Sequence, residues 1–160
     1  MEEQVPDREL IFASAKALAA AIRAKQVSSA EVVGACLERI AAVNPRLNAV
    51  VQVAAETAHA RARAADAALA HGEVWGPLHG VPVTIKDSLD TAGLISAGGT
   101  HGRRAYIPDR DATAVARLRA AGAILLGKTN TDELSKPTSI LSAIGALCPA
   151  GDRQTGAADL

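Results

Sequence analysis

The stretch GPLHGVPVTIKD, residues 76–87, decides how this chain is interpreted, because it brings a single lysine to the end of an apolar strand. Every second residue is apolar, so the two sets of side chains point to opposite faces of the strand. The first set is Val81, Val83 and Ile85, and the second is Pro82, Thr84 and Lys86. The prolines and glycines favour an edge strand or a strand entry. The pattern predicts that Lys86 leaves a half-buried strand beside Asp87.

Lys86 has two interpretations at this stage. In a dry pocket the ammonium is disfavoured relative to the neutral amine, and such a lysine can act as a general base. Alternatively, Lys86 pairs with Asp87 or is solvated, which is the usual fate of a lysine. The spacing of the residues alone favours the second interpretation.

Composition narrows the functional classes. The 160 residues are 49% hydrophobic, enough for one core, and the 17 basic and 17 acidic residues cancel. This balance gives no electrostatic reason to expect nucleic acid or an acidic membrane as a partner. Neither an amino-terminal targeting pattern nor a membrane-length apolar run is present. The sequence predicts a cytoplasmic protein.

Cysteines and histidines give no sign of a metal or cofactor site. Cys36 and Cys148 are too few for a disulfide framework, and Cys36 fits the apolar face of a helix. The four histidines show no metal-ligand spacing; they are His59, His71, His79 and His101. We expect His79 to orient its glycine-rich loop through a hydrogen bond.

Ser88 and Ser96 lack the glycine-flanked elbow of a nucleophile and are expected to be solvated or bonded to backbone.

Helix and strand signals alternate along the chain. Ser14 can cap one helix, and Ser28 with Glu31 forms a capping box for a second that is expected to end at Asn44 and Pro45. The sequence then predicts a short strand at 47–53, an alanine-rich helix at 54–70 and a loop at 91–100 that approaches another backbone closely. After this loop it predicts a helix that begins at Asp111 or Thr113 and ends at Gly122, and a strand at 123–126. The order indicates an α/β fold.

The segment GAILLGKT, residues 122–129, matches the letters of a phosphate-binding loop. In such a loop the strand precedes the first glycine and a helix begins at the lysine. Here the residues before Gly122 resemble a helix, and those after it resemble the strand. Nucleotide binding is therefore a disfavoured alternative, and Lys128 is expected to be a solvated or structural residue at a strand end.

Several ordered blocks resemble the amidase signature family of serine-dependent amide hydrolases. They are AAVNPRLNAVV, GPLHGVPVTIKDSLDTAGLISAGGT and DATAVARLRAAGAILLGKTNTDEL, and the likeness spans about residues 10–134. The resemblance implies a mixed β-sheet flanked by helices, of which this chain holds only the amino-terminal part. It also implies that Lys86, followed by Asp87, is the catalytic lysine.

The family mechanism is a Ser-Ser-Lys relay that converts a small carboxylic amide into an acid plus ammonia or an amine. The resemblance implies that a buried, neutral lysine accepts a proton through a bridging serine, while a second serine attacks the carbonyl and forms an acyl-enzyme. The family carries both serines in a Gly/Ser-rich block.

No such block occurs in this chain. Residues 1–135 are expected to form the amino-terminal portion of an amidase domain, and residues 136–160 a divergent tail in which neither Ser139 nor Ser142 has neighbouring glycines. We expect a truncated, frameshifted or genuinely short product that is inactive alone. The alternative is a non-catalytic interaction module or subunit fragment that meets a complementing chain.

Overall fold

The fold is that of a computed structural model that describes residues 7–132. The helices are α1 (Asp7–Phe12), α2 (Ala15–Arg23), α3 (Ser29–Leu47), α4 (Ala55–Ala70) and α5 (Thr113–Ala120), and the strands are β1 (Val50–Val53), β2 (Pro82–Lys86) and β3 (Ile124–Thr129). A short 3-10 helix covers His101–Arg103. The predicted tail at 136–160, with Ser139, Ser142 and Cys148, lies outside the described residues.

The described chain divides into two compact units. The first unit comprises residues 7–42, 54–83 and 117–126. The second unit comprises residues 43–53, 84–116 and 127–132. A cluster of buried apolar side chains forms the core of the first unit; it comprises Leu10, Leu18, Ala19, Ile22, Val27, Val32, Ala35 and Val81. Within residues 7–132, no helix is both long and apolar enough to cross a membrane.

Both predicted caps of the early helices are confirmed. Ser14 Oγ accepts a hydrogen bond from the Ala17 amide at 3.2 Å and starts α2. Ser28 Oγ accepts from the Glu31 amide at 3.1 Å, and the Glu31 carboxylate accepts from the Ser28 amide at 2.8 Å. These bonds satisfy amides that have no partner inside the helix. The hydrogen bonds that the Glu31 carboxylate accepts from the Ser28 backbone and side chain lower the pKa of Glu31. α1 was not predicted from the sequence.

The predicted end of α3 is wrong by two to three residues. The helix continues past Pro45 to Leu47, and Asn48 follows in the left-handed region at φ 48°. The Asn48 amide donates to the Asn44 carbonyl at 2.7 Å, which closes the last turn. The Asn44 side chain also exchanges two 2.8 Å hydrogen bonds with the backbone of Val50. The following strand therefore begins at Val50, later than the predicted 47.

The sheet is small and mixed, with strand order β1-β3-β2. β1 and β3 are antiparallel, with Gln52 opposite Lys128 and Val53 opposite Gly127. Hydrogen bonds between β2 and β3 advance in the same direction along both strands, from Ile124 N to Val81 O and from Asp87 N to Thr129 O. β2 and β3 are therefore parallel, and α5 lies in the connection between them. The α/β class is confirmed.

Gly122 ends α5 at a point where another backbone lies close. Its φ is +91°, and a Cβ atom there would lie 2.8 Å from the Cα of His79. The Gly122 carbonyl accepts from the Gly80 amide at 3.0 Å, so the two segments cannot separate without losing this bond. The turn therefore requires glycine for both conformation and space.

We expect Gly122→Ala to lower the free energy of unfolding by about 2 to 4 kcal/mol, because left-handed strain and a steric clash act together. Gly72→Ala is the matched control. Gly72 has a φ of +82°, and a Cβ atom added there would meet nothing within 4 Å, so strain alone should cost about 1 kcal/mol. Urea denaturation of both variants measures the difference. Equal losses would contradict the role of close packing at Gly122.

Candidate active site

Lys86 is the last residue of β2, and its side chain is exposed. The predicted alternation is confirmed in part: Val81 and Ile85 are buried at 1% and 4% exposure, and Thr84 and Lys86 are exposed, whereas Pro82 and Val83 are both half-buried. The Lys86 carbonyl accepts from the Leu89 amide at 3.0 Å, and the next amide, that of Asp87, donates to the Thr129 carbonyl at 2.9 Å. The backbone at Lys86 is thus held in place. Its exposed side chain does not have the dry surroundings that the resemblance implies.

Lys128 lies on β3 and has the opposite environment. Its side chain is fully buried, at 0% exposure. Nζ donates to the Leu89 carbonyl at 2.6 Å, to Ser96 Oγ at 2.9 Å and to Thr91 Oγ1 at 3.1 Å. The predicted solvated position of Lys128 is wrong, because β3 carries the side chain into the interior; the structural alternative agrees with its contacts.

The hydroxyl groups around Lys128 are arranged to accept from it. Thr91 Oγ1 donates its own proton to the Leu89 carbonyl at 3.1 Å, and Ser96 Oγ donates to the Leu94 carbonyl at 3.3 Å. Both oxygens therefore turn lone pairs towards Nζ. An ammonium has three donors and matches these three acceptors, whereas a neutral amine has only two. The network is complete only when Lys128 is protonated.

Burial opposes this protonation. Desolvation lowers the pKa of Lys128 to about 8, and the positive charge of Arg103 lowers it further. The negative charges of Asp87, Asp90 and Asp111 raise the pKa by smaller amounts. The four charged groups belong to the loop and turn segments around Lys128. Asp90 and Arg103 form an ion pair at 2.9 Å, which reduces the net charge that they present. Desolvation is therefore the dominant influence on the proton of Lys128.

The contact between Lys128 and Ser96 has the length of a base–nucleophile pair, but it is not accessible. Ser96 is 1% exposed, and its Oγ also accepts from the Thr91 amide at 3.1 Å. A substrate carbonyl cannot reach this oxygen. The prediction that the Ser96 hydroxyl is bonded to backbone is confirmed by its bond to the Leu94 carbonyl. Ser88 is half-buried.

The GAILLGKT segment is not a phosphate-binding loop. α5 precedes Gly122, and residues 124–129 form β3. Lys128 therefore lies within a strand, with its ammonium occupied by three protein acceptors. The order of elements inferred from the sequence is confirmed.

His79 orients its loop as predicted. It is fully buried, and its Nδ1 accepts from the Trp75 amide at 3.0 Å. Nε2 lies 3.1 Å from the Ala65 carbonyl, so Nε2 carries the proton of a neutral ring. Between residues 7 and 132, no three His, Cys, Asp or Glu side chains gather as metal ligands.

The loop at 91–100 makes the close backbone approach that its small residues predict. Gly99 has a φ of +75°, and a Cβ atom there would lie 2.5 Å from the Asp132 carbonyl oxygen. The Gly98 amide donates to the Asp87 carbonyl at 3.2 Å, beside Lys86. The glycines therefore bring this loop against the segment that carries the lysine.

Known proteins share this combination of sequence and fold. The amidase family model matches residues 31–141. The A subunit of the glutamyl-tRNA(Gln) amidotransferase of Carboxydothermus hydrogenoformans is 44% identical over 131 residues, which are 82% of this chain and 27% of the relative. The indoleacetamide hydrolase of Bradyrhizobium diazoefficiens is 48% identical over 122 residues, 76% of this chain and 23% of the relative.

A solved structure gives the same result. The peptide amidase from Stenotrophomonas maltophilia matches with a TM-score of 0.73 and 36% identity, over 80% of this chain and 26% of that enzyme. The fold is therefore that of the amidase-signature enzymes. The chain belongs to the amidase family, and it spans about a quarter of the length of the relatives that it matches.

The pKa of Lys128 makes stability depend on pH. Folded Lys128 loses its proton near pH 8, but in the unfolded chain it keeps the proton up to about 10.5. Between these values the unfolded state binds more protons, so the free energy of unfolding rises with pH. We expect wild type to gain on the order of 3 kcal/mol relative to Lys128→Met between pH 8 and 10.5.

Urea denaturation at several pH values measures this difference, and groups common to both proteins cancel. Lys16→Met is the control, because Lys16 is exposed on α2. It should track wild type across the range. A constant or falling difference between wild type and Lys128→Met would contradict the burial of a titrating ammonium.

Proposed function

We propose that this chain contributes the lysine base to hydrolysis of a carboxylic amide. In the proposed reaction neutral Lys86 accepts a proton through a bridging serine, and a second serine attacks the carbonyl carbon. The C–N bond breaks, ammonia or an amine leaves with a proton, and water hydrolyses the acyl-enzyme to the acid. Lys86 is the catalytic residue in this scheme.

The observation that supports this proposal is the placement of Lys86. The side chain stands at the end of β2 on the face opposite the buried one, where a substrate or a second segment can reach it. The backbone that follows Lys86 is held by the Leu89 amide, which donates to the Lys86 carbonyl, and by the Asp87 amide, which donates to the Thr129 carbonyl. A general base needs both access and a defined position.

The proposal also requires groups from elsewhere. The 160 residues contain no Gly/Ser-rich block to supply the two serines. An exposed ammonium is well solvated, so the neutral base needs a cover that removes water from Lys86. We propose that a segment carrying the serines provides this cover, and that the chain by itself does not hydrolyse amides. The cytoplasmic location stays a prediction.

A second candidate function is that of an interaction module. The amidotransferase relative is by name one subunit of an enzyme, and another matching structure, 34% identical with a TM-score of 0.72, is described as a vestigial protein complex. These descriptions support association of this chain with another chain. Association without hydrolysis is the result that would favour this function.

Complementation tests the catalytic proposal. The full chain is mixed with a second chain that supplies the remainder of the indoleacetamide hydrolase, and ammonia release from indoleacetamide is measured. We expect turnover only in the mixture. Lys86→Met should lower kcat by about 100-fold or more, because the methionine keeps the bulk of the side chain but cannot accept a proton.

Lys16→Met is the matched control, since it removes an exposed lysine on α2, and it should keep the wild-type rate. Size-exclusion chromatography shows whether each variant associates with the second chain. An active mixture in which Lys86→Met turns over normally would exclude Lys86 as the base. Stable association with no ammonia release would favour the interaction module.

A further inference from the structure

The proposed mechanism uses Lys86 and leaves the second lysine of the site without a role. Lys128 is fully buried and makes three hydrogen bonds to the loop that follows Lys86. We propose that Lys128 is a positioning residue for Lys86, because its ammonium ties this loop to β3. The inference rests on the proposed function, since positioning affects turnover only if Lys86 reacts.

The shortest connection between the two lysines runs through Leu89. Lys128 Nζ donates to the Leu89 carbonyl at 2.6 Å, and the Leu89 amide donates to the Lys86 carbonyl at 3.0 Å. Lys86 and Leu89 therefore close a tight turn, and Lys128 holds that turn from the inside. Two hydrogen bonds and one residue separate the buried ammonium from the backbone of the proposed base.

The same ammonium also holds the far end of the loop. Thr91 and Ser96 supply the other two acceptors, and the Ser96 amide donates to the Tyr106 carbonyl at 2.9 Å. One charged group thus binds three points of a segment that has no helix or strand between residues 87 and 100. Other side-chain bonds, such as the Ala92 amide to Asp111 Oδ1 at 2.8 Å and Arg103 to Asp90 at 2.9 Å, each hold the segment at one point.

The charge itself is costly at this place. Burial opposes the ammonium, and the desolvation cost of a buried charge can exceed the free energy that its contacts return. The groups that face Lys128 are Asp87, Asp90 and Asp111, which favour its charge, and Arg103, which opposes it. Stability alone therefore does not account for Lys128, whereas fixing three acceptors in one arrangement does.

Backbone order in the full chain tests the tie directly. In wild type we expect NMR order parameters near 0.85 at the amides of Leu89 and Ser96, as in rigid backbone. In Lys128→Met these should fall towards about 0.6, because methionine fills the space but donates no hydrogen bond. The Ile124 amide, which donates to the Val81 carbonyl, should keep its value and serves as the internal control.

A second pair of variants protects the test against misfolding of Lys128→Met. Thr91→Val keeps the approximate shape of this buried side chain and removes one acceptor of Lys128 together with the bond from Thr91 Oγ1 to the Leu89 carbonyl, whereas Thr91→Ser keeps the hydroxyl. The readout for this pair is therefore Ser96, which Lys128 also binds, and we expect lower order there in Thr91→Val and near wild-type order in Thr91→Ser. In wild type the Leu89 and Ser96 amide shifts should also titrate with a midpoint near pH 8 that is lost in Lys128→Met.

Two results would overturn the inference. One is unchanged order at Leu89 and Ser96 in both Lys128→Met and Thr91→Val. The other is an equal loss of order at Ile124, which would show general loosening instead of local positioning.

In the complemented enzyme, Lys128→Met should lower kcat about tenfold or more with little change in KM.

The kinetic and NMR results separate the two proposals. If Lys86→Met leaves turnover unchanged in an active mixture, the proposed function fails, while the order parameters still decide whether Lys128 ties the loop. If Lys86→Met abolishes turnover but Lys128→Met changes neither the order at Leu89 nor kcat, the proposed function stands and the positioning role fails.

Discussion

The buried ammonium of Lys128 is the interaction on which the candidate site depends. Its three acceptors are 32, 37 and 39 residues away in sequence, so one side chain ties β3 to three points of the loop after Lys86. An unpaired charge at 0% exposure would be strongly destabilising. The loop after Lys86 must therefore adopt the arrangement that supplies these acceptors, and the turn at Lys86 is part of it.

Local signals predicted much of the fold. Ser14, Ser28 and Glu31 act through atoms within three residues, so their capping roles are visible in the sequence itself. The alternation around Ile85 likewise gives the buried and exposed faces of β2 directly. The order of helix, glycine turn and strand around Gly122 was also predicted correctly, and it separated this segment from a phosphate-binding loop.

Two features were misplaced, one that depends on neighbouring residues and one that depends on distant partners. Proline disfavours the helix interior, yet α3 passes Pro45 because Asn44 and Asn48 complete its last turn. Lys128 was expected to be solvated or structural, and its burial depends on acceptors more than 30 residues away. One signal could have revealed it: Ile124, Leu126 and Lys128 share one face of a strand, and the first two are apolar. That face is buried along its length.

The two lysines of the candidate site have opposite environments, and each meets a different requirement of general base catalysis. These requirements are a fixed position and an amine that is free to react. A base must release and accept a proton, so it cannot also be a fully bonded ammonium. Lys128 meets the positional requirement because all three of its donors are occupied. A protonated amine has no lone pair that could accept a proton. The amine of Lys86 is exposed instead of enclosed by acceptors, so it stays available for chemistry once water is excluded. The network around Lys128 therefore fixes the place of the proposed reaction without taking part in its proton transfer.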